Sequence, residues 1–217
     1  MNLQAPDAAT IDVLHERIRA CRRCELQGFP ISPPPLVFGR APAPFMLIGQ
    51  APSLTDWREG RIYKGPAAQK LIGWLRDAGF DDRDLGRTVY MTALTKCFPG
   101  RQPGKSTDRA PSARERTNCR EWLGAELALV QPRVVILFGK MAIDTILPAM
   151  PLTDAIGNTF DLGGRTYLPL PHSSGASTWL NDDSNRALLA QAIGRLSDLR
   201  RAIRPAQTQF TSVENIT

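Results

Sequence analysis

The chain is poor in the side chains that carry most chemistry: its 217 residues include two histidines, His15 and His172, three tyrosines and four cysteines. Long apolar runs are missing. Nothing approaches the roughly 18 consecutive apolar residues that a membrane-spanning helix needs, and the opening residues carry neither a basic leader nor an apolar stretch. A soluble, cytoplasmic protein without a membrane partner is the expectation. With so few cysteines in a reducing compartment, disulfides are disfavoured and the Cys21-x2-Cys24 pair points to metal or redox chemistry.

What is present bounds the fold. At 42% apolar, the chain can bury the core of one domain, predicted over residues 1–203, with a polar, patternless tail at 204–217. A formal charge of +6 and a pI near 9.5 make a polyanionic partner plausible, because clustered Lys and Arg release counterions from a phosphate backbone.

Short apolar runs ending at breakers read as strands: "FMLIGQAP" from Phe45, "TVYMTAL" from Thr88, "RVVILFG" from Arg133 and "RTYLPLPH" from Arg165. Helical spacing fills the gaps, over 65–78, 112–130 and 140–147, with further helices near 9–20 and 183–203. Ser112 and Glu115 form a capping-box pattern at one start. Apolar strands alternating with helices predict a three-layer α/β/α sandwich around a central, mainly parallel four-stranded sheet. Such sheets bind ligands beyond the carboxyl ends of their strands. That rule selects "GQAPS", "LTKCFPGRQPGK", "FGKMA" and "PHSSGAS".

The cysteines fall at Cys21 and Cys24 after the first helix, Cys97 after the second strand and Cys119 inside the next helix. Two, 72 and 21 residues separate them in turn, which lacks the paired-knuckle symmetry of most structural zinc sites. An iron–sulfur cluster accepts scattered thiolates, so cluster, zinc and unliganded thiols all remain open on spacing alone. Arg22, Arg23 and Arg120 nearby are expected to lower the thiol pKa values.

Taken in order around these cysteines, "GQAPS…D…G..Y.G", "YMTALTKC" and "LPHSSG" resemble the uracil-DNA glycosylase superfamily, and within it the iron–sulfur branch often called family four. The resemblance covers nearly the whole chain. It implies a [4Fe-4S] cluster held by Cys21, Cys24, Cys97 and Cys119, and a monomer that acts on DNA containing a damaged base. It also implies that the base is flipped into a pocket at the strand ends and released by hydrolysis.

By the same resemblance, Tyr63 stands where the family carries a phenylalanine that stacks on uracil, and Ala51, Thr92 and Ala93 border the base. His172 stabilises charge developing on the departing base. Gln50 and Asp56 are the candidates for positioning water, Gln50 by hydrogen bonding alone. Ser53, Lys64, Arg101, Lys105, Ser173 and Ser174 are expected to contact DNA, with Arg109 in the same loop.

Three departures stand out. Ser173 replaces the proline of the family's His-Pro-Ser signature. Ala93 replaces the asparagine of "TNVVKC", an amide that reads the uracil edge. The loop "GRQPGKSTDRAP" has no histidine, whereas a specialised branch uses one there to trap DNA covalently, so ordinary turnover is expected. Ala93 and Ser173 also permit an alternative, a non-catalytic iron–sulfur nucleic-acid-binding protein of the same fold.

Overall fold

The computed structural model describes residues 10–173 and 178–203. The predicted tail at 204–217 and Ser174 lie outside the described residues.

Three five-residue strands, β1 (Phe45–Gly49), β2 (Val89–Ala93) and β3 (Val134–Phe138), form where the apolar runs predict, and every residue in them is buried. Burial at both parities means that both faces of the sheet are covered. The strand order is β2-β1-β3-β5-β4, in which β5 is Arg165–Leu170 and β4 is Phe160–Leu162. The first four strands in that order run parallel, and β4 pairs antiparallel with β5. The sheet therefore has five strands, where the sequence reading has four. The additional one is three residues long and half-exposed, so it has no apolar run to betray it. Its legible signal is Gly163-Gly164, both at positive φ (57° and 75°), the two-residue turn that suits a hairpin. Because β4 reaches only as far as Tyr167 on β5, Pro169 has no β4 residue opposite it and its missing N–H costs nothing there.

Strand parity assigns the helical layers. Tyr90 and Thr92 point to the face carrying α5 (Ala113–Val130), where both bond Glu126, and α1 (Ile11–Arg19) packs on α5. Phe45 points to the other face. There it meets Phe80 edge-on at 5.0 Å, and Arg200 of α8 (Asp183–Ala202) lies over Phe80, with α4 (Pro66–Asp77) packed on α8. The three-layer α/β/α architecture follows. A second, smaller core of Leu14, Ile18, Cys119 and Trp122 joins α1 to α5, each buried aliphatic side chain contributing roughly 1.5–3 kcal/mol.

Helix starts obey local chemistry. Ser112 and Glu115 form the predicted capping box, and a second one joins Ser53 to Asp56 at the start of α3 (Leu54–Glu59). Among the described residues, no helix is long and apolar enough to cross a membrane.

Candidate active site

The loops that follow β1, β2, β3 and β5 converge on one cavity of about 520 Å³ beyond the strand ends. Gln50, Ala51, Ser53, Asp56, Tyr63, His172 and Ser173 all line it. Phe138, the last residue of β3, and Asp108 and Arg109 from the loop after β2 complete its wall. Phe138 opens the "FGKMA" segment that the strand-end rule selects, but the sequence reading assigns it no role of its own.

His172 stacks on Phe138, ring centroids 5.0 Å apart and planes 22° from parallel. The approach depends on Gly139 (φ 86°), where a Cβ would stand 3.1 Å from the imidazole Cδ2. Burial pulls the His172 pKa below its ordinary value, so the ring is neutral near pH 7 and carries one N–H donor.

Tyr63 occupies a left-handed backbone conformation (φ 62°), costly for a bulky residue by roughly 1–2 kcal/mol. Its hydroxyl donates to the Thr92 carbonyl oxygen at 2.7 Å and stands only 2.6 Å from where a Gly49 Cβ would be. Gly49 therefore makes room for the tyrosine. Burial first, then the charge of Asp56, push the phenol pKa well above its ordinary value, so the hydroxyl stays a donor.

Several predicted residues have other tasks. Asp56 is buried, and its carboxylate accepts from the Ser53 N–H at 2.8 Å and the Lys64 N–H at 2.5 Å. Both oxygens thus hold the α3 start and the Tyr63 loop in place, which makes Asp56 a builder of the site rather than a free catalytic base. Ser53, its capping-box partner, accepts from the Asp56 N–H at 3.2 Å. Ser173 is buried and donates to the Ala67 carbonyl oxygen at 2.5 Å, tying the end of β5 to α4 and leaving its hydroxyl turned from any surface strand. Arg109 forms a two-pronged ion pair with Glu115 at 2.6 and 2.7 Å, which ties the loop to α5. Lys64, Arg101 and Lys105 are exposed, and the last two lie in a small turn closed by pairing of Arg101 with Asp108. No hydrogen bond engages the Gln50 carboxamide among the described residues, so it is available to a ligand or water.

Thr92 and Ala93 do not line the cavity. Both are buried, and Thr92 Oγ1 donates to Glu126 at 2.9 Å. They belong to a buried polar network that the sequence reading did not anticipate. Lys96 Nζ sits 2.7 Å from Glu126 Oε2, Thr92 Oγ1 and the Ala93 carbonyl oxygen alike. Tyr90 donates to Glu126 at 3.0 Å, and His15 Nε2 lies 2.7 Å from the Tyr90 hydroxyl. His15 of α1 closes this network, and burial lowers its pKa.

The four cysteines share the wall of a second cavity with Ile18, Lys96 and Trp122, and none is in a disulfide. Among the described residues, no three His, Cys, Asp or Glu side chains are grouped tightly enough to grip a single metal ion. The arginines do not set the thiol pKa values as expected. Arg23 is engaged with Glu121 and lies over Trp122, and Arg22 donates to the Arg19 and Cys21 carbonyl oxygens. Burial dominates instead, raising Cys24 and Cys119 and pushing Cys97 up to about 12, with the neighbouring cysteines adding to the rise at Cys97. Asn118 Nδ2 approaches Cys24 Sγ at 3.4 Å, a donor of the kind that steadies a ligating thiolate.

Comparison with known proteins adds an independent line. A family model described as the uracil DNA glycosylase superfamily matches residues 36–196, about three quarters of the chain. A type-4 uracil-DNA glycosylase of Thermotoga maritima is 25% identical over 169 residues, covering 76% of this chain and 81% of the relative. A type-4 uracil-DNA glycosylase of Sulfurisphaera tokodaii is 25% identical over 65% of this chain and 60% of its own length. A type-5 uracil-DNA glycosylase of Pyrobaculum aerophilum reaches 34% over 59% of this chain and 57% of its own.

Proposed function

This chain belongs to the uracil DNA glycosylase superfamily, and from that premise we propose that it is a monofunctional DNA glycosylase that hydrolyses the N-glycosidic bond of an extruded uracil, or a related deaminated base. The product is an abasic site. The observation that carries the reading is the shared cavity in which His172, stacked on Phe138, faces the same space as Tyr63 and Gln50.

The chemistry runs on electrostatics. As the C1′–N bond breaks, its electron pair leaves with the base, and the neutral His172 N–H donates to the carbonyl oxygen on which that charge collects. Tyr63 and Phe138 wall the cavity with aromatic surface. Water adds to C1′ and loses its proton to solvent, and Gln50 orients it by hydrogen bonding. Asp56, with both oxygens on backbone amides, acts by its fixed negative charge toward the sugar cation. Exposed Lys64, Arg101 and Lys105 meet the DNA backbone.

A [4Fe-4S] cluster is part of the proposal. The donor set fits it: Cys21, Cys24, Cys97 and Cys119 share one cavity wall, four thiols drawn from separate parts of the chain, as such a cluster accepts. When bound, the cluster supplies a structural tie between the N-terminal helices, the loop after β2 and α5. Cys119→Ser is expected to abolish the brown visible absorbance of anaerobically purified protein and its iron content. A colourless parent protein carrying zinc would overturn the cluster.

Oligonucleotides carrying uracil, hypoxanthine or xanthine, single- and double-stranded, test the activity. Alkali-sensitive cleavage is the expected result. DNA binding without base release on every substrate would instead favour the non-catalytic alternative, which the burial of Ala93 away from the cavity supports.

A further inference from the structure

A basic trough runs along the outer edge of the sheet, away from the cavity just described. β2 is the edge strand, and the segment around Phe38 covers its open side: the Met91 N–H donates to the Phe38 carbonyl oxygen, and the Arg40 N–H to that of Gly86. Outside this cover lie two clefts of about 350 and 410 Å³ that share Phe38, Arg61, Asp82 and Leu85, and so form one channel. Its upper end reaches Tyr63 and Lys64, and Tyr63 is also a wall of the strand-end cavity. The lower end reaches Arg40 and Arg87, which lies just ahead of β2.

The charges along this channel do not cancel. Arg76 is neutralised by Asp82 and Arg83 by Asp81. Arg40, Arg61, Lys64 and Arg87 are exposed and have no carboxylate partner among the described residues. Arg61, itself exposed, lies over the Phe38 ring with its guanidinium carbon 4.1 Å from the centroid, which sets a cation against an aromatic face in the trough. Gly86 (φ 84°) permits this, since a Cβ there would meet the Phe38 ring at 2.6 Å.

We propose that this trough is a track for single-stranded DNA flanking the extruded base, with Lys64, Arg61, Arg40 and Arg87 on successive phosphates and Arg61 offering a base-stacking face. The inference rests on the glycosylase reading for what occupies the cavity, but the track itself binds strand without chemistry. The five residues of β2 span about 17 Å, room for roughly three to five phosphates. A single strand can turn from the cavity mouth down a sheet edge. A stiff duplex cannot follow it.

The test compares parent protein with the triple variant Arg40→Ala, Arg61→Ala, Arg87→Ala, using fluorescence anisotropy with short and long labelled single strands and a duplex, across a salt series. In the variant, affinity for the long strand is expected to fall about tenfold at low salt, and the salt slope to flatten by about 2, the loss of three single-strand phosphate contacts. Affinity for the short strand and base release from a short uracil oligonucleotide stay unchanged, and the corresponding triple lysine variant keeps the parental salt slope. An unchanged salt slope, or an equal loss on duplex, overturns the track. Loss of long-strand binding in a protein that releases no base leaves the track standing and removes only the glycosylase reading.

Discussion

His172→Ala is expected to slow base release by about 10²–10³-fold, the range found when one preorganised donor is removed from a developing anion. Affinity for uracil-containing DNA should change little, because the imidazole sits in the strand-end cavity and phosphate contacts elsewhere dominate binding. Single-turnover rates and anisotropy titrations on the same oligonucleotide separate the two effects. A variant as fast as the parent would remove His172 from the mechanism. The pH dependence carries its own sign. Burial places the His172 pKa below 6.5, so the neutral donor persists through that pH and the rate should hold level from neutrality into mild acid. His15 is lowered in the same direction. For both, the unfolded chain binds more protons than the folded one as pH drops past about 6.5, so their contribution to stability is complete above that pH and is lost as pH falls through the folded values.

Lys96→Met is expected to be the most destabilising single change in the chain. Lys96 and Glu126 are 1% and 0% exposed at their side chains and 2.7 Å apart, so neither can turn to bulk solvent when its partner is lost. Removing the ammonium strands a buried carboxylate, at a cost of about 3–5 kcal/mol. For a chain of this size each kcal/mol lowers the midpoint by roughly 2–4 °C, so thermal unfolding should shift down by about 6–20 °C. The double variant Lys96→Met, Glu126→Gln should recover much of that loss, since the amide still accepts from Tyr90 and Thr92 without carrying charge. A double variant no more stable than the single one would show that the ion pair is not the source of the effect. Loosening of the β2 end should also reach the cavity, because Thr92 holds the Tyr63 hydroxyl.

The same contrast explains which parts of the site were legible. The strand-end rule located the cavity and the glycines of "IGQ" and "FGK" at its rim, but not the rings of Tyr63 and His172 for which those glycines make room. Residue type does not report direction. Asp56 reads as a catalytic carboxylate until the Ser53 and Lys64 amides are seen to occupy it, and Ser173 reads as a phosphate contact until Ala67 is found beneath it. Nothing in the sequence marks Lys96 as buried. Only the arrival of Glu126, 30 residues on, makes its burial tolerable.

The sequence by itself determined the alternation of strand and helix, the capping box at Ser112 and Glu115, the strand ends at which the cavity forms and the four thiols available to a cofactor, because periodicity, turn chemistry and residue type act locally. The tertiary structure alone decided which polar side chains face the cavity and which hold it together, and that Phe38 and Arg61 build a charged channel on the sheet edge. Those outcomes depend on hydrogen-bond and ion partners brought from distant parts of the chain, and a buried polar group takes its role from the partner that satisfies it.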